Sequence, residues 1–171
     1  MGDPIAATGT GRANCIKVTT GWDLPRKSVI YDFLQETAAN NMTTAVRSIP
    51  PETTVGDLYR LFAADDFDAY PVVQDGMLVG IVSKLDALKV FAFTEDQILP
   101  HYADGMGTQV NEIMSSDVVA VDPDTKLQRV LQMLTKHKVK SLPVIGQRRN
   151  LIGIIAREDV MRAMKRWTLP K

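Results

Sequence analysis

The sequence predicts a mixed α/β (α+β) protein made of two copies of one β-α-β-β-α unit, packed sheet against sheet about a pseudo-twofold axis. Three observations carry this. The chain repeats itself: an offset of 72 superposes Pro51 on Pro123, Thr53 on Thr125, and Pro71-Val72 on Pro143-Val144. Within each copy the apolar spacing switches from a helical period to a strand period and back. A unit of about 50 residues buries too little apolar surface to offset its chain entropy, so two of them packed together are expected to form a single core.

The elements follow in order. Residues 1–27 are Gly/Thr-rich and read as a fraying leader. Ser28 can cap a helix over 28–41, with Val29, Ile30, Phe33, Leu34 and Ala38 on one face. That face either packs on the repeats or serves a dimer contact. The first repeat spans 42–93. It has a short leading strand around Val46, then the turn Pro51-Glu52-Thr53-Thr54, then a helix with Val55, Leu58, Leu61 and Phe62 on one side. Tyr70-Pro71-Val72-Val73 is a strand with proline at its entry. Asp75-Gly76 is a hairpin dipeptide, Met77 to Val82 a β-rich strand, and Leu85, Leu88 and Phe91–Ala92 mark a second helix. Residues 94–113 form a polar linker that crosses between the halves. The second repeat, 114–167, reads the same way. It has a leading strand over Val118–Val121, a helix at 125–137, strands at 142–145 and 151–155, and a helix at 157–167. One inserted residue in its turn then brings Gly80-Ile81 onto Gly153-Ile154 and Asp86 onto Asp159.

Composition removes several function classes. Hydrophobic residues make up 45% and charged residues 23%, which is globular rather than disordered. Cys15 is the single cysteine, so no disulfide staples the fold. His101 and His137 are the two histidines, and no CxxC, HExxH or EF-hand spacing signals a metal. No apolar run approaches the roughly 18–20 residues of a membrane span. The start, Met1-Gly2-Asp3-Pro4, lacks the basic and apolar regions of a signal peptide, so a cytoplasmic protein is expected. Gly105-Met-Gly107 lacks the third glycine and the preceding strand of a dinucleotide fingerprint. No nucleophile–base pair is visible, so the expectation is not an enzyme.

Each repeat carries Pro-x-Thr, then Leu/Tyr-Pro-Val, then Gly-Ile-hydrophobic-x-x-x-Asp, after a Met-Thr or Met-Ser leader (Met42-Thr43, Met114-Ser115). In this order and occurring twice, these pieces resemble a tandem pair of CBS domains, a Bateman module. The resemblance covers about Met42 to Trp167. It implies a regulatory module that senses an adenine nucleotide (AMP, ADP or ATP) or S-adenosylmethionine, needs no cofactor, and acts in signal transduction. It also implies a homodimer and a separate, unidentified effector protein, with neither membrane nor nucleic acid as partner. The alternative is a ligand-free dimerisation and interaction scaffold.

The resemblance places ligand-binding residues in Gly-h-h-Ser/Thr-x-x-Asp, where h is hydrophobic. Repeat 1 matches in full, with Ser83 and Asp86. Asp86 can accept both ribose hydroxyls, and Ser83 sits at the helix N-cap. In the family each pocket is composite. Ser83 and Asp86 are then expected to face Asp117 and Val119 on the leading strand of repeat 2, and Val139, Lys140, Ser141 and Pro143 before and in its strand. Val119 and Val139 suit a purine, and Lys140 a phosphate. A second, weaker site is expected at Asp159 and Arg157 with Phe67 and Ala69. There Ala156 replaces the hydroxyl, and Asp68 stands where Lys140 stands in the other repeat.

The balanced charge, 20 Lys+Arg against 20 Asp+Glu, conceals a polarity. From Glu52 to Asp75 six acidic residues face one basic one, whereas from Asp124 to Gln147 one acidic residue faces five basic ones. An acidic repeat and a basic repeat suit contact with each other, within the chain or head to tail in a dimer.

Overall fold

In the computed structural model, residues 32–33, 35–92 and 102–168 are described. The readings of a fraying leader over 1–27 and of residues 28–31 lie outside them. Repeat 1 contains α1 (Val55–Ala64), β1 (Ala69–Gln74), β2 (Met77–Ser83) and α2 (Lys84–Lys89). Two short helices follow, α3 (Tyr102–Gly107) and α4 (Val110–Ile113). Repeat 2 contains α5 (Leu127–His137), β3 (Ser141–Ile145), a 3₁₀ turn at Gln147–Arg149, β4 (Leu151–Ala156) and α6 (Arg157–Thr168).

Local chemistry explains most boundaries. Thr54 caps α1, its hydroxyl accepting from the Asp57 amide at 3.2 Å. Asp75 and Gly76 both take positive φ, at 51° and 79°, as the tight turn between β1 and β2 requires. The two strands pair antiparallel from Ala69 opposite Ser83 to Gln74 opposite Met77, with a bulge at Val72/Val73. Repeat 2 repeats this register, bulge included, from Ser141 opposite Ala156 to Ile145 opposite Leu151.

Two expected elements differ. The leading strands shrink to single parallel bridges, Ile49 to Val72 and Val121 to Val144, and Val46 pairs with neither sheet. Pro50 and Pro51 follow Ile49 without amide donors, and Pro123 follows two residues after Val121, so the ladder stops. The second helix of repeat 1 ends at Lys89 rather than near Ala92. There the amides of Phe91 and Ala92 bond three residues back, to Leu88 and Lys89, and the turn tightens out of α geometry.

The linker and the N-terminal segment are exchanged between the repeats. The amides of Val110 and Asn111 donate to the carbonyls of Thr53 and Pro51, and those of Ala38 and Ala39 to Thr125 and Pro123. Val110 is fully buried in the repeat 1 core with Ile49, Leu58, Tyr70, Val72 and Val82. Phe33 and Ala38 are buried in the repeat 2 core with Leu127, Val130, Leu142 and Ile155. The linker read as a polar crossing therefore supplies a core side chain. Of the helix read over 28–41, Asp32, Phe33 and Gln35 are helical, and from Glu36 the chain turns onto repeat 2. Arg166 of α6 holds that turn, 3.2 Å from Glu36 and hydrogen-bonded to Asn41.

The Met leaders complete the exchange. Ser115 bridges Ile81 of repeat 1, and Thr43 bridges Ile154 of repeat 2. A Cβ on Gly80 would fall inside the Met114 sulfur and 3.2 Å from the Ser115 carbonyl; on Gly153 it would meet Met42 and Thr43 in the same way. Each glycine is thus the floor on which the other repeat's methionine lies.

In repeat 1 the core reaches outward through a polar chain. The buried Tyr70 hydroxyl donates to Asp65 Oδ2 at 2.6 Å, and Asp65 pairs with Arg47. Burial and the Asp65 carboxylate push the Tyr70 phenol up to about 12, so it stays protonated.

Candidate functional site

The site begins where β2 becomes α2. Ser83 is extended, at φ −107° and ψ 166°, and its side chain caps the helix as its spacing predicts. The cap is reciprocal. Ser83 Oγ accepts from the Asp86 amide at 3.2 Å, while Asp86 Oδ2 accepts from the Ser83 amide at 3.0 Å and from its hydroxyl at 2.6 Å. Asp86 Oδ1 takes the Lys89 ammonium at 2.9 Å. Burial pushes the Asp86 carboxyl up, but the bonds from Lys89 and Ser83 outweigh it and hold the group below its ordinary value, so it is anionic at neutral pH.

The junction of β4 and α6 repeats the plan with one donor fewer. Asp159 Oδ2 accepts from the Ala156 amide at 2.8 Å, and Arg162 lies 2.8 Å from Oδ1. Ala156 contributes no hydroxyl. The Asp159 side chain is only 5% exposed, against 20% for Asp86. The two cationic clamps, Lys89 and Arg162, stand three residues after each aspartate, a spacing legible in the sequence but not read there as a feature.

The strand register fixes what lies beside each junction. Ala69 is opposite Ser83, and the Lys84 amide donates to the Asp68 carbonyl at 3.0 Å. In repeat 2, Ser141 is opposite Ala156, and the Arg157 amide donates to Lys140 at 3.0 Å. The Arg157 side chain reaches the Val139 carbonyl at 3.1 Å. By backbone, then, Val139, Lys140 and Ser141 flank Ala156 and Arg157, while Phe67, Asp68 and Ala69 flank Ser83 and Lys84. Within each repeat's own sheet, Asp68 lies beside the Ser83 helix start and Lys140 beside the Ala156 helix start.

Besides the two methionines, a charged side chain bridges the repeats. Lys140 Nζ lies 2.6 Å from Asp68 Oδ2, which links the Ala156 helix start of repeat 2 to the Ser83 helix start of repeat 1. Asp68 is held below its usual carboxylate range by that bond from Lys140, with Lys84 adding to it.

The remaining candidates are placed as follows. Val119 and Val139 are partly buried against the repeat 2 core, and Pro143 is buried in β3 opposite Ile154. Asp117 is exposed. Phe67 is 44% exposed and meets Tyr70 edge-on. Among the described residues, no hydrogen bond joins Ser83 or Asp86 to Asp117, Val119, Val139, Lys140, Ser141 or Pro143. Lys84, not singled out from the sequence, lies 5.6 Å over the Phe62 ring. It also rims an apolar hollow of about 310 Å³ between Tyr59, Phe62, Leu88 and Met106. A broader hollow of about 650 Å³ runs beside Asp122, Asp124 and Gln147. Neither is lined by Ser83, Asp86 or Asp159. Among the described residues no group of three His, Cys, Asp or Glu is placed to hold a metal, and no helix is long and apolar enough to cross a membrane.

Comparison with known proteins agrees with this geometry. The CBS domain model matches twice, over residues 37–92 and 110–166. The CBS domain-containing protein YhcV of Bacillus subtilis is 31% identical over 122 residues, covering 71% of this chain and 80% of YhcV. The solved CBS-pair protein CBSX2 of Arabidopsis thaliana is 28% identical at a TM-score of 0.67, covering 76% of this chain and 94% of that one. A complex of CBSX2 with AMP superposes at 0.65. The CBS pair of protein MJ0100, solved with 5′-methylthioadenosine and S-adenosyl-L-methionine, is 18% identical at 0.61, covers 75% of this chain and 95% of that one, and shares the fold. The two matches together cover more than half of the chain, and this chain belongs to the CBS-domain proteins as a tandem pair.

Proposed function

We propose that the chain is a non-catalytic regulatory module of the cytoplasm, which binds an adenine nucleotide or adenosyl compound between its repeats and modulates a separate protein. The observation that carries this reading is the Ser83–Asp86 capping box at a seam that Lys140 reaches from the other repeat. The anionic, partly open Asp86 carboxylate can accept two vicinal ribose hydroxyls once the Ser83 hydroxyl or the exposed Lys89 ammonium gives way, since its oxygens are acceptors only. The AMP complex of CBSX2, 28% identical to this chain, supports an adenosyl ligand. The two ends are unequal. Asp86 keeps more of its surface open than Asp159, and Ser83 adds a hydroxyl that Ala156 lacks, so the Ser83/Asp86 end is the stronger site.

Equilibrium titration of the purified protein with AMP, ADP, ATP and S-adenosylmethionine tests this. At least one is expected to bind and to raise the unfolding midpoint, because a ligand specific for the folded state stabilises it. No binding by any at millimolar concentration overturns the reading. It would leave the ligand-free scaffold, whose midpoint ignores nucleotides.

The same reading includes a homodimer. Tyr59, Leu85 and Leu88 in repeat 1, and Leu131, Met161 and Met164 in repeat 2, are each at least 40% exposed. Apolar side chains grouped on helix faces favour a partner surface. The acidic α1 region and the basic α5 region suit a head-to-tail pairing, each repeat against the other repeat of a second copy. Light scattering is expected to give twice the chain mass at micromolar concentration, whereas the mass of one chain would reject the dimer.

A further inference from the structure

Asp68 and Lys140 are equivalent positions under the offset of 72, so the pseudo-twofold axis brings them face to face. Had the two repeats carried the same charged residue there, like charges would oppose each other across the seam. Opposite charges let the contact form. The pair also lies between the two helix starts, because the Asp68 carbonyl is bonded to the residue after Ser83 and the Lys140 carbonyl to the residue after Ala156. Both side chains are more than half exposed. Exposed ion pairs are weakly held, so an incoming charged group can exchange with either member.

Resting on the adenosyl reading of this site, we propose that Asp68 is a charge-selecting residue: it occupies Lys140 and so sets the site against phosphorylated ligands and toward neutral or cationic ones. An anion entering at the Ser83 end meets two obstacles. It faces the Asp68 carboxylate, and it must take Lys140 from it. A neutral nucleoside meets neither. A ligand with net positive charge is attracted to the Asp68 carboxylate and needs nothing from Lys140.

The test compares three probes of different charge on the wild-type protein and Asp68→Asn: AMP, neutral 5′-methylthioadenosine, and S-adenosylmethionine with one net positive charge. The substitution keeps the shape of an exposed side chain, and an unchanged unfolding midpoint checks the fold. Removing one charge a few ångströms from the ligand in partly screened surroundings is expected to tighten AMP about tenfold. By the same charge arithmetic, methylthioadenosine should stay within about twofold and S-adenosylmethionine should weaken several-fold. Equal shifts for AMP and methylthioadenosine, or no shift for AMP, overturn the proposal. The gain in AMP affinity should be smaller in a Lys140→Met background, where only the direct repulsion is left to remove. An equal gain in both backgrounds also overturns competition for Lys140. If wild type binds none of the three, the adenosyl reading itself falls and takes this inference with it, a result distinct from binding that ignores Asp68.

Discussion

Gly80→Val is expected to lower stability by about 3 kcal/mol, the upper end of what overpacking a filled site costs. The reason lies across the repeat boundary. A Cβ at position 80 would overlap the Met114 side chain and come within 3.2 Å of the Ser115 carbonyl. The methionine can swing away, but the carbonyl cannot, because Ser115 and Ile81 exchange backbone hydrogen bonds at 3.0 and 2.9 Å. The substitution therefore has to choose between a clash and a broken bridge. For a chain of this size the loss corresponds to roughly 10 °C in unfolding midpoint. Gly153→Val should behave alike, since Met42 and Thr43 take the same places. Gly107→Ala is the control: nothing lies within 4 Å of its added Cβ, and it should stay within about 0.5 kcal/mol of wild type. Combining Gly80→Ala with Met114→Ala should cost less than the sum of the two single changes, because each removes the other's conflict. Thermal melts of these variants decide it, and a Gly80→Val midpoint equal to wild type would refute the packing account.

Asp86→Ala should weaken adenosyl binding about 100-fold, while Asp159→Ala should leave the tightest binding event within about threefold. A hydrogen bond to a charged acceptor contributes on the order of 1.5–3 kcal/mol. One such bond corresponds to about tenfold in affinity, and two ribose hydroxyls on one carboxylate to about 100-fold. The alanine also removes half of the capping box, so fold and binding must be read separately. Asp86→Asn serves this purpose: its amide oxygen can still accept from the Ser83 amide, but the negative charge is gone. Calorimetry should then show a loss of affinity with little change in midpoint. Equal losses for Asp86→Ala and Asp159→Ala would reject unequal sites. Full affinity in Asp86→Ala would remove Asp86 from the ligand altogether.

The two hairpins and four main helices were legible because each is set by neighbours in sequence. Thr54, Asp75-Gly76 and Ser83 act within three residues of themselves, so their patterns survive without knowledge of the fold. The offset of 72 then ties the two copies together, down to bulges at equivalent places. The Ser83–Asp86 pair was legible for the same reason. The leading strands were not. Apolar residues near Val46 and Val118 suit strands, but the prolines at 50, 51 and 123 cut the ladder to one bridge each.

The sequence alone thus determined the doubled unit, its order of elements, the two aspartates at the helix starts and the opposed charges of the repeats. Only the tertiary structure decided which repeat each leader completes. Val110 and Met114 finish repeat 1, and Phe33, Ala38 and Met42 finish repeat 2, because an apolar residue is buried wherever a vacant core position lies and periodicity does not say whose. The tertiary structure likewise joined Lys140 to Asp68. Two residues 72 apart carry no local signal of contact. They meet because the pseudo-twofold axis passes between equivalent positions, and they bond because their charges differ.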